Sequence, residues 1–441
     1  MRNEISDMNR RLSHVALGVV LFVAIGASTG KSLSELPVLD GVPTANAEDV
    51  GMSSSRLARL DSAMQAYVDR GEVAGVVSLV ARRGKVVHFS TIGARYAETD
   101  EPMTPDTIFR IASMTKPIAS AALMLLYEEG RFQLRDPIEK WLPEFRDMQV
   151  AMPTTYSELG KGKYKRVEAS SPITVQHVLT HTAGLPNSYR GITRSDFEEV
   201  APQREPGDTL EAFVGRLSSL PLNFHPGDAW EYGRATDVVG RLVEVMSGQS
   251  FDEFLRDRIF VPLGMVDTHF YLPISKLPRF AALYRPDGAR SLALREEPTA
   301  ESMFVREPHS YFSGAGGLVS TARDYFRFQQ MMLNGGTLDG VRIFGRKTVE
   351  LITVNHVGER DVWLVGPGHG FGLGYAVVQD PGMVAMPYSV GSYFWWGAYN
   401  TAFWVDPKEE LVGVLLTQLR PYTHLNIRQD LATLAYQAII D

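Results

Sequence analysis

Two pairs of short, β-rich runs lie at opposite ends of the 441-residue chain, and they constrain its fold more than any other feature. Near the N-terminus, Gly75 to Ala81 and Lys85 to Ser90 are separated by Arg82-Arg83-Gly84, a spacing that suits a β-hairpin. Near the C-terminus, Thr401 to Val405 and Leu411 to Leu416 flank an Asp406-Pro407-Lys408-Glu409 turn. Each pair is bordered by a helical pattern. Ser53-Ser54-Ser55 offers N-caps for a helix with apolar positions Leu57, Leu60, Met64, Tyr67 and Val68, and His424 to Ile440 repeats apolar residues at helical spacing. A lone hairpin is marginally stable in water, so the two ends are expected to build one sheet packed by the terminal helices. The chain between them is then an insertion, with helical patterns at Ala119 to Tyr127, Val175 to Leu179 and Val238 to Met246 broken by Pro and Gly loops. The expected class is α/β (α+β), with the α/β part over about 48–116 and 311–441 and a helical part over about 117–310.

Composition narrows the function. Hydrophobic residues at 44% and charged residues at 22% match a globular enzyme with a large core. With 44 Lys plus Arg against 51 Asp plus Glu, the net charge is −7, and no basic block exists to drive counterion release from nucleic acid. The absence of Cys removes disulfides, thiolate metal sites and cysteine nucleophiles. Arg10 and Arg11 precede a run from Leu12 to Ala27 whose one ionisable side chain is His14, the pattern of a secretory signal. Its continuous apolar stretch, Val15 to Ile25, is too short to span a bilayer, so no stable membrane anchor is expected. Residues 1–47 read as a leader ending at Ala45-Asn46-Ala47, with Ala24-Ile25-Gly26 as a competing cleavage site. The implied location is periplasmic or secreted, or cytoplasmic if the leader is not processed.

Two motifs compete for the nucleophile. Gly26-Ala27-Ser28-Thr29-Gly30 matches the G-x-S-x-G elbow but ends the leader, where no buried strand precedes Ser28. Ser113-Met114-Thr115-Lys116 is an S-x-x-K at the start of an apolar helical run. Residues three apart share a helix face, so Lys116 falls within reach of Ser113, and a neutral amine can accept the hydroxyl proton. Lysine ordinarily titrates near about 10.4, so this role requires burial or a neighbouring cation. His177 and His181 have the four-residue spacing of H-E-x-x-H, but Val178 stands where the Glu belongs, so no metal site is read there. Gly314 to Gly317 lacks the G-K-[ST] of a phosphate loop and reads as a tight turn entering the sheet.

The segment Thr107-Ile108-Phe109-Arg110-Ile111-Ala112-Ser113-Met114-Thr115-Lys116-Pro117 resembles the nucleophile region of serine β-lactamases and penicillin-binding proteins. It is most similar to class C β-lactamases and the family VIII carboxylesterases that share their fold. The similarity continues in Ile173 to Leu185 and Ser313 to Thr321, and spans about residues 50 to 437. It implies an antiparallel sheet flanked by helices plus a mostly helical region, and an acyl-enzyme on Ser113 with Lys116 as base. In Pro226-Gly227-Asp228-Ala229-Trp230-Glu231-Tyr232-Gly233-Arg234 it implies Tyr232 as proton shuttle, either as a phenolate or in concert with Lys116. Arg234 stands where β-lactamases carry Asn, which speaks against strong β-lactamase activity. No Lys-Thr-Gly exists. Trp395-Trp396-Gly397 falls at the place of the esterases' W-G-G, with Trp396 for a Gly, and the resemblance pairs the Ala398 and Ser113 backbone N–H groups as an oxyanion hole. Trp395, Trp396, Gly397 and Arg234 are the expected substrate-binding residues, and Tyr393, Phe394 and Tyr399 extend an aromatic wall. The implied function is a cofactor-free carboxylesterase acting on a small ester with a short-to-medium acyl group. Alternatives within the fold are a β-lactamase, a D-Ala or D-amino-acid peptidase, an amide hydrolase and an acyltransferase. A penicillin-binding sensor that acylates without turnover is the alternative of another class.

Overall fold

The computed structural model describes residues 39–154, 164–200, 207–288 and 290–441. The Gly26 to Gly30 motif lies outside the described residues. Both terminal hairpins form and join. Strands β1 (Gly75–Arg82), β2 (Lys85–Tyr96), β3 (Glu101–Pro102), β4 (His369–Phe371), β5 (Ala376–Val378), β6 (Tyr393–Gly397), β7 (Thr401–Asp406) and β8 (Leu411–Leu416) make an eight-stranded sheet in the order β4-β5-β6-β7-β8-β1-β2-β3. Every neighbouring pair is antiparallel. The chain ends meet at β1 and β8, from Val77 opposite Leu416 to Arg82 opposite Leu411. These two strands are buried along their whole length, so apolar residues occupy both faces of each rather than alternating, with Ser78 and Arg82 of β1 the polar exceptions.

Helices cover both faces. Helix α1 (Ser54–Asp69) is capped by the Ser53 side chain, which accepts from Arg56 N. Its Leu57, Leu60 and Met64 pack with Leu431 and Ala435 of the C-terminal helix, residues Ile427–Tyr436, and Tyr67 Oη donates to Asp430 at 2.6 Å. On the other face lie α2 (Thr115–Glu128), α3 (Ala235–Ser247), which packs against α2, and α4 (Ala322–Leu333). The C-terminal helix is then α5. The region read as helical also holds two antiparallel ribbons, Gln149–Pro153 with Tyr164–Glu168 and Leu283–Pro286 with Leu292–Glu296. Residues at the end of the expected leader belong to the folded body: Leu39 and Val42 are buried, and Ala45 N donates to Val86 O at 3.1 Å.

Candidate active site

The nucleophile sits where strand turns to helix. A short strand, Phe109–Arg110, pairs with Val319–Ser320, and Ile111 N donates to Leu318 O at 3.1 Å. Ala112 then takes a left-handed conformation, φ +44°, sparsely populated for a residue with a Cβ. This turn presents Ser113 half-buried at the head of α2, while Met114, Thr115 and Lys116 point inward and are buried. Thr115 Oγ1 accepts from Leu318 N at 3.1 Å, tying the head of the helix to the same strand.

Lys116 Nζ lies 3.2 Å from Ser113 Oγ, donates to the Ala315 carbonyl at 2.5 Å, and stands 4.6 Å from the centre of the Tyr232 ring. Burial disfavours the ammonium and lowers its pKa to about 8; Arg234 acts in the same direction, while Tyr189 and Asp237 oppose it. Tyr232 is buried, accepts from Trp395 Nε1 at 3.2 Å and hydrogen-bonds with Ser113. Burial pushes its phenol up to about 12, although the hydrogen bonds with Ser113 and Trp395 and the charge of Arg234 work against the rise. Of the two forms expected for Tyr232, burial favours the neutral phenol over a standing phenolate.

The two histidines part company. His177 Nδ1 accepts from Thr174 N at 3.2 Å in a capping box at the start of the helix Val175–Leu179. His181, at φ +58°, is buried with its ring 5.1 Å from that of Tyr232 and 5.4 Å from that of Phe371. Burial, with the Lys116 charge adding to it, holds His181 uncharged, well below the usual imidazole range. Gly314 to Gly317 forms the turn ahead of Val319–Ser320, and a Cβ on Gly314 would lie 2.3 Å from Thr236 O, so the turn rests directly on α3.

The other expected site residues divide. Trp395 is buried against Tyr232, with ring centres 5.2 Å apart. Gly397 abuts the nucleophile turn: a Cβ there would lie 2.3 Å from Ile111 O. This close approach places the half-buried Ala398 beside the turn that carries Ser113. The aromatics of β6 do not share one side. Trp396 stacks on Trp395 at 4.7 Å and packs under the Arg428 guanidinium of α5 at 5.0 Å, and with Phe394 and part of Trp395 it lines a cavity of about 460 Å³ between the sheet and α5. Tyr393 is buried against Tyr375. Arg234 occupies the residue before α3 without a side-chain cap bond, with Nη1 3.5 Å from Asp237 Oδ2 and its side chain 44% exposed.

Sequence reasoning missed Asp237 and Tyr189. Asp237 is fully buried beside Ala235, Thr236, Val238 and Val239 in the first turn of α3, and a carboxylate set directly before the apolar pair Val238-Val239 was the available signal. Tyr189 is 54% exposed and stacks obliquely on Tyr232 at 5.6 Å, at the mouth of the site.

A half-exposed serine, a buried lysine of lowered pKa and a buried tyrosine, set between an antiparallel sheet and a helical region, define a serine hydrolase of the β-lactamase fold. The chain belongs to the β-lactamase family, which it matches over residues 60–437. It is 36% identical to an uncharacterized protein of Mycobacterium tuberculosis over 80% of this chain and 88% of that protein. It is 31% identical to esterase EstB of Burkholderia gladioli over 85% of this chain and 93% of the esterase. Among solved structures it is similar to EstCE1, described as a hydrolase with promiscuous acyltransferase activity, at a TM-score of 0.73 and 26% identity, covering 88% of this chain and 99% of that one.

Proposed function

We propose that the protein is a carboxylesterase that hydrolyses short-to-medium acyl esters through an acyl-enzyme on Ser113. The observation that carries this reading is the Lys116 amine, 3.2 Å from Ser113 Oγ with its pKa lowered to about 8. A neutral Lys116 takes the Ser113 proton as Oγ attacks the ester carbonyl. The Ser113 and Ala398 N–H groups receive the oxyanion, and the proton leaves with the alcohol through the Tyr232 hydroxyl. Water then attacks the acyl-enzyme by the reverse path. The similarity to esterase EstB supports an ester as substrate, and the similarity to EstCE1 supports hydrolysis with transfer of an acyl group. Arg234 and Trp395, in place of the Asn and Lys that β-lactamases use to hold the substrate amide and carboxylate, support esters over β-lactams. Two lost charge-assisted hydrogen bonds lower kcat/KM for a β-lactam by about 10²-fold or more. A periplasmic or secreted location follows from the leader pattern and belongs to the same proposal.

The test compares kcat/KM for p-nitrophenyl butyrate and nitrocefin on one preparation, together with fluorophosphonate labelling and peptide mapping. Butyrate ester is expected to be the better substrate, with the label on Ser113 and none on Ser113→Ala. A higher kcat/KM for nitrocefin replaces the esterase reading with a β-lactamase, and a label on another serine removes the nucleophile assignment.

A further inference from the structure

We infer that Asp237 is a positioning residue for the Ser113–Lys116 pair: its buried carboxylate fixes the Ser313–Ala315 turn that receives the Lys116 amine, and it holds Arg234 against the catalytic cluster. The inference rests on the reading of Lys116 as the base. Asp237 Oδ1 accepts from Ser313 Oγ at 2.7 Å and from Ala315 N at 3.1 Å. The carbonyl of the same Ala315 accepts from Lys116 Nζ at 2.5 Å. One residue of the turn is therefore gripped by the carboxylate through its N–H and by the lysine through its C=O. The bare Cα of Gly314 lets this turn lie on the first turn of α3, where Asp237 projects.

The other carboxylate oxygen, Oδ2, is buried without a hydrogen bond among the described residues and has the Arg234 guanidinium at 3.5 Å. An under-bonded buried carboxylate is expensive as mere filler, and an apolar residue of similar size would avoid the penalty. What offsets it is charge: Arg234 and Lys116 act on it, and it lies in the first turn of α3, where the helix dipole favours an anion. The groups acting on Lys116 are Ser113, Tyr232, Tyr189, Asp237, Arg234 and His181, and Asp237 is the carboxylate among them. Its negative charge supports the ammonium against burial and the Arg234 charge, which keeps the amine from becoming too weak a base.

Asp237→Asn separates charge from shape, since an Asn oxygen can still accept from Ser313 and Ala315 while the amide no longer attracts Arg234. With p-nitrophenyl butyrate, the acid limb of kcat/KM is expected to move down by about half a pH unit or more, with plateau kcat reduced roughly 10-fold. Ser313→Ala removes an anchor of the turn and no charge, so it is expected to lower kcat several-fold and leave the limb in place. Folded Asp237→Asn with wild-type limb and wild-type kcat overturns the inference. If Asp237→Asn does not fold, Ser313→Ala decides, and a wild-type kcat there overturns it. The wild-type profile separates this outcome from failure of the esterase reading. A wild-type enzyme without ester turnover or without a limb removes the Lys116 base itself, whereas a normal wild-type profile beside an unaltered variant removes Asp237 alone.

Discussion

Lys116 shows how one side chain trades stability for reactivity. It is buried beside Tyr232, where it donates to the Ala315 carbonyl and to Ser113 Oγ, and its pKa is lowered to about 8. The neutral amine is the working form, so kcat/KM for an ester is expected to climb with pH through about 8. A profile flat from pH 6 to 9 would remove Lys116 as the base. The same burial has a stability consequence with a definite sign. The folded lysine releases its proton near pH 8 and the unfolded one near about 10.4, so between those values the unfolded chain binds more protons and stability rises with pH. Below that window the buried ammonium carries its full penalty. Lys116→Met is therefore expected to be inactive yet to melt higher than wild type at pH 7, by on the order of a few degrees, with the gap narrowing as pH rises toward 10. Differential scanning calorimetry at pH 7 and pH 9.5 measures it, and a variant less stable at both sinks the argument.

At the scale of elements, β6 brings the site together. Its period of two sends Trp395 to Tyr232 and Trp396 toward α5, and its end closes on the nucleophile turn because Gly397 has no side chain. A methyl group there would lie 2.3 Å from both Ile111 O and Thr401 Oγ1, and Ile111 lies two residues before Ser113. Gly397→Ala is thus expected to displace the turn and lower kcat by roughly 10²-fold. Gly215→Ala, in the helix Leu210–Ser218 with open space around it, should instead stabilise by about 0.5–1 kcal/mol at unchanged kcat. Activity and melting temperature of the pair separate local geometry from general sensitivity to glycine replacement. The elements legible in the sequence were those whose pattern is long. Strands β1 and β8 are mostly apolar runs, and α2 and α3 extend the helical patterns at Ala119 and Val238 by four residues or fewer at their ends. Three-residue strands such as β4 and β5 are too short to show any period, and the ribbon at Gln149–Pro153 and Tyr164–Glu168 is largely solvent-exposed, so its residues carry little burial pattern. In the candidate site, the motif residues Ser113, Lys116 and Tyr232 come together in the structure. Asp237 acts through a turn 76 positions away in the chain, which no local pattern reports.

For the molecule as a whole, the remaining question is where the folded body begins. Under the proposed secretory leader at Leu12 to Ala27, Ala45-Asn46-Ala47 is the candidate cleavage site. Yet the chain just before that site is built into the fold. Val86 N donates to Pro43 O at 2.8 Å and Ala45 N to Val86 O at 3.1 Å, so this segment adds backbone pairing along β2. From α4, Arg323 Nε donates to Asp40 O at 2.7 Å and Arg327 Nη1 to Gly41 O at 2.6 Å. Leu39 and Val42 close over the core on the α2 side of the sheet. Cleavage after Ala47 would strip partners from two arginines, remove the Val86 bonds to Pro43 and Ala45 and open apolar surface, a loss of about 2 kcal/mol or more. For a domain of this size that corresponds to roughly 2–4 °C in melting temperature. A chain starting at Glu48 is therefore expected to melt below one starting at Leu39 by about that interval, with kcat on p-nitrophenyl butyrate unchanged at 25 °C because the catalytic residues lie elsewhere. Processing upstream of Leu39, such as at Ala24-Ile25-Gly26, leaves every one of these contacts in place. Intact-mass analysis of protein recovered from the periplasm or medium reads the site directly. A mature N-terminus at Glu48 with undiminished melting temperature would show that the segment contributes nothing to the fold's stability.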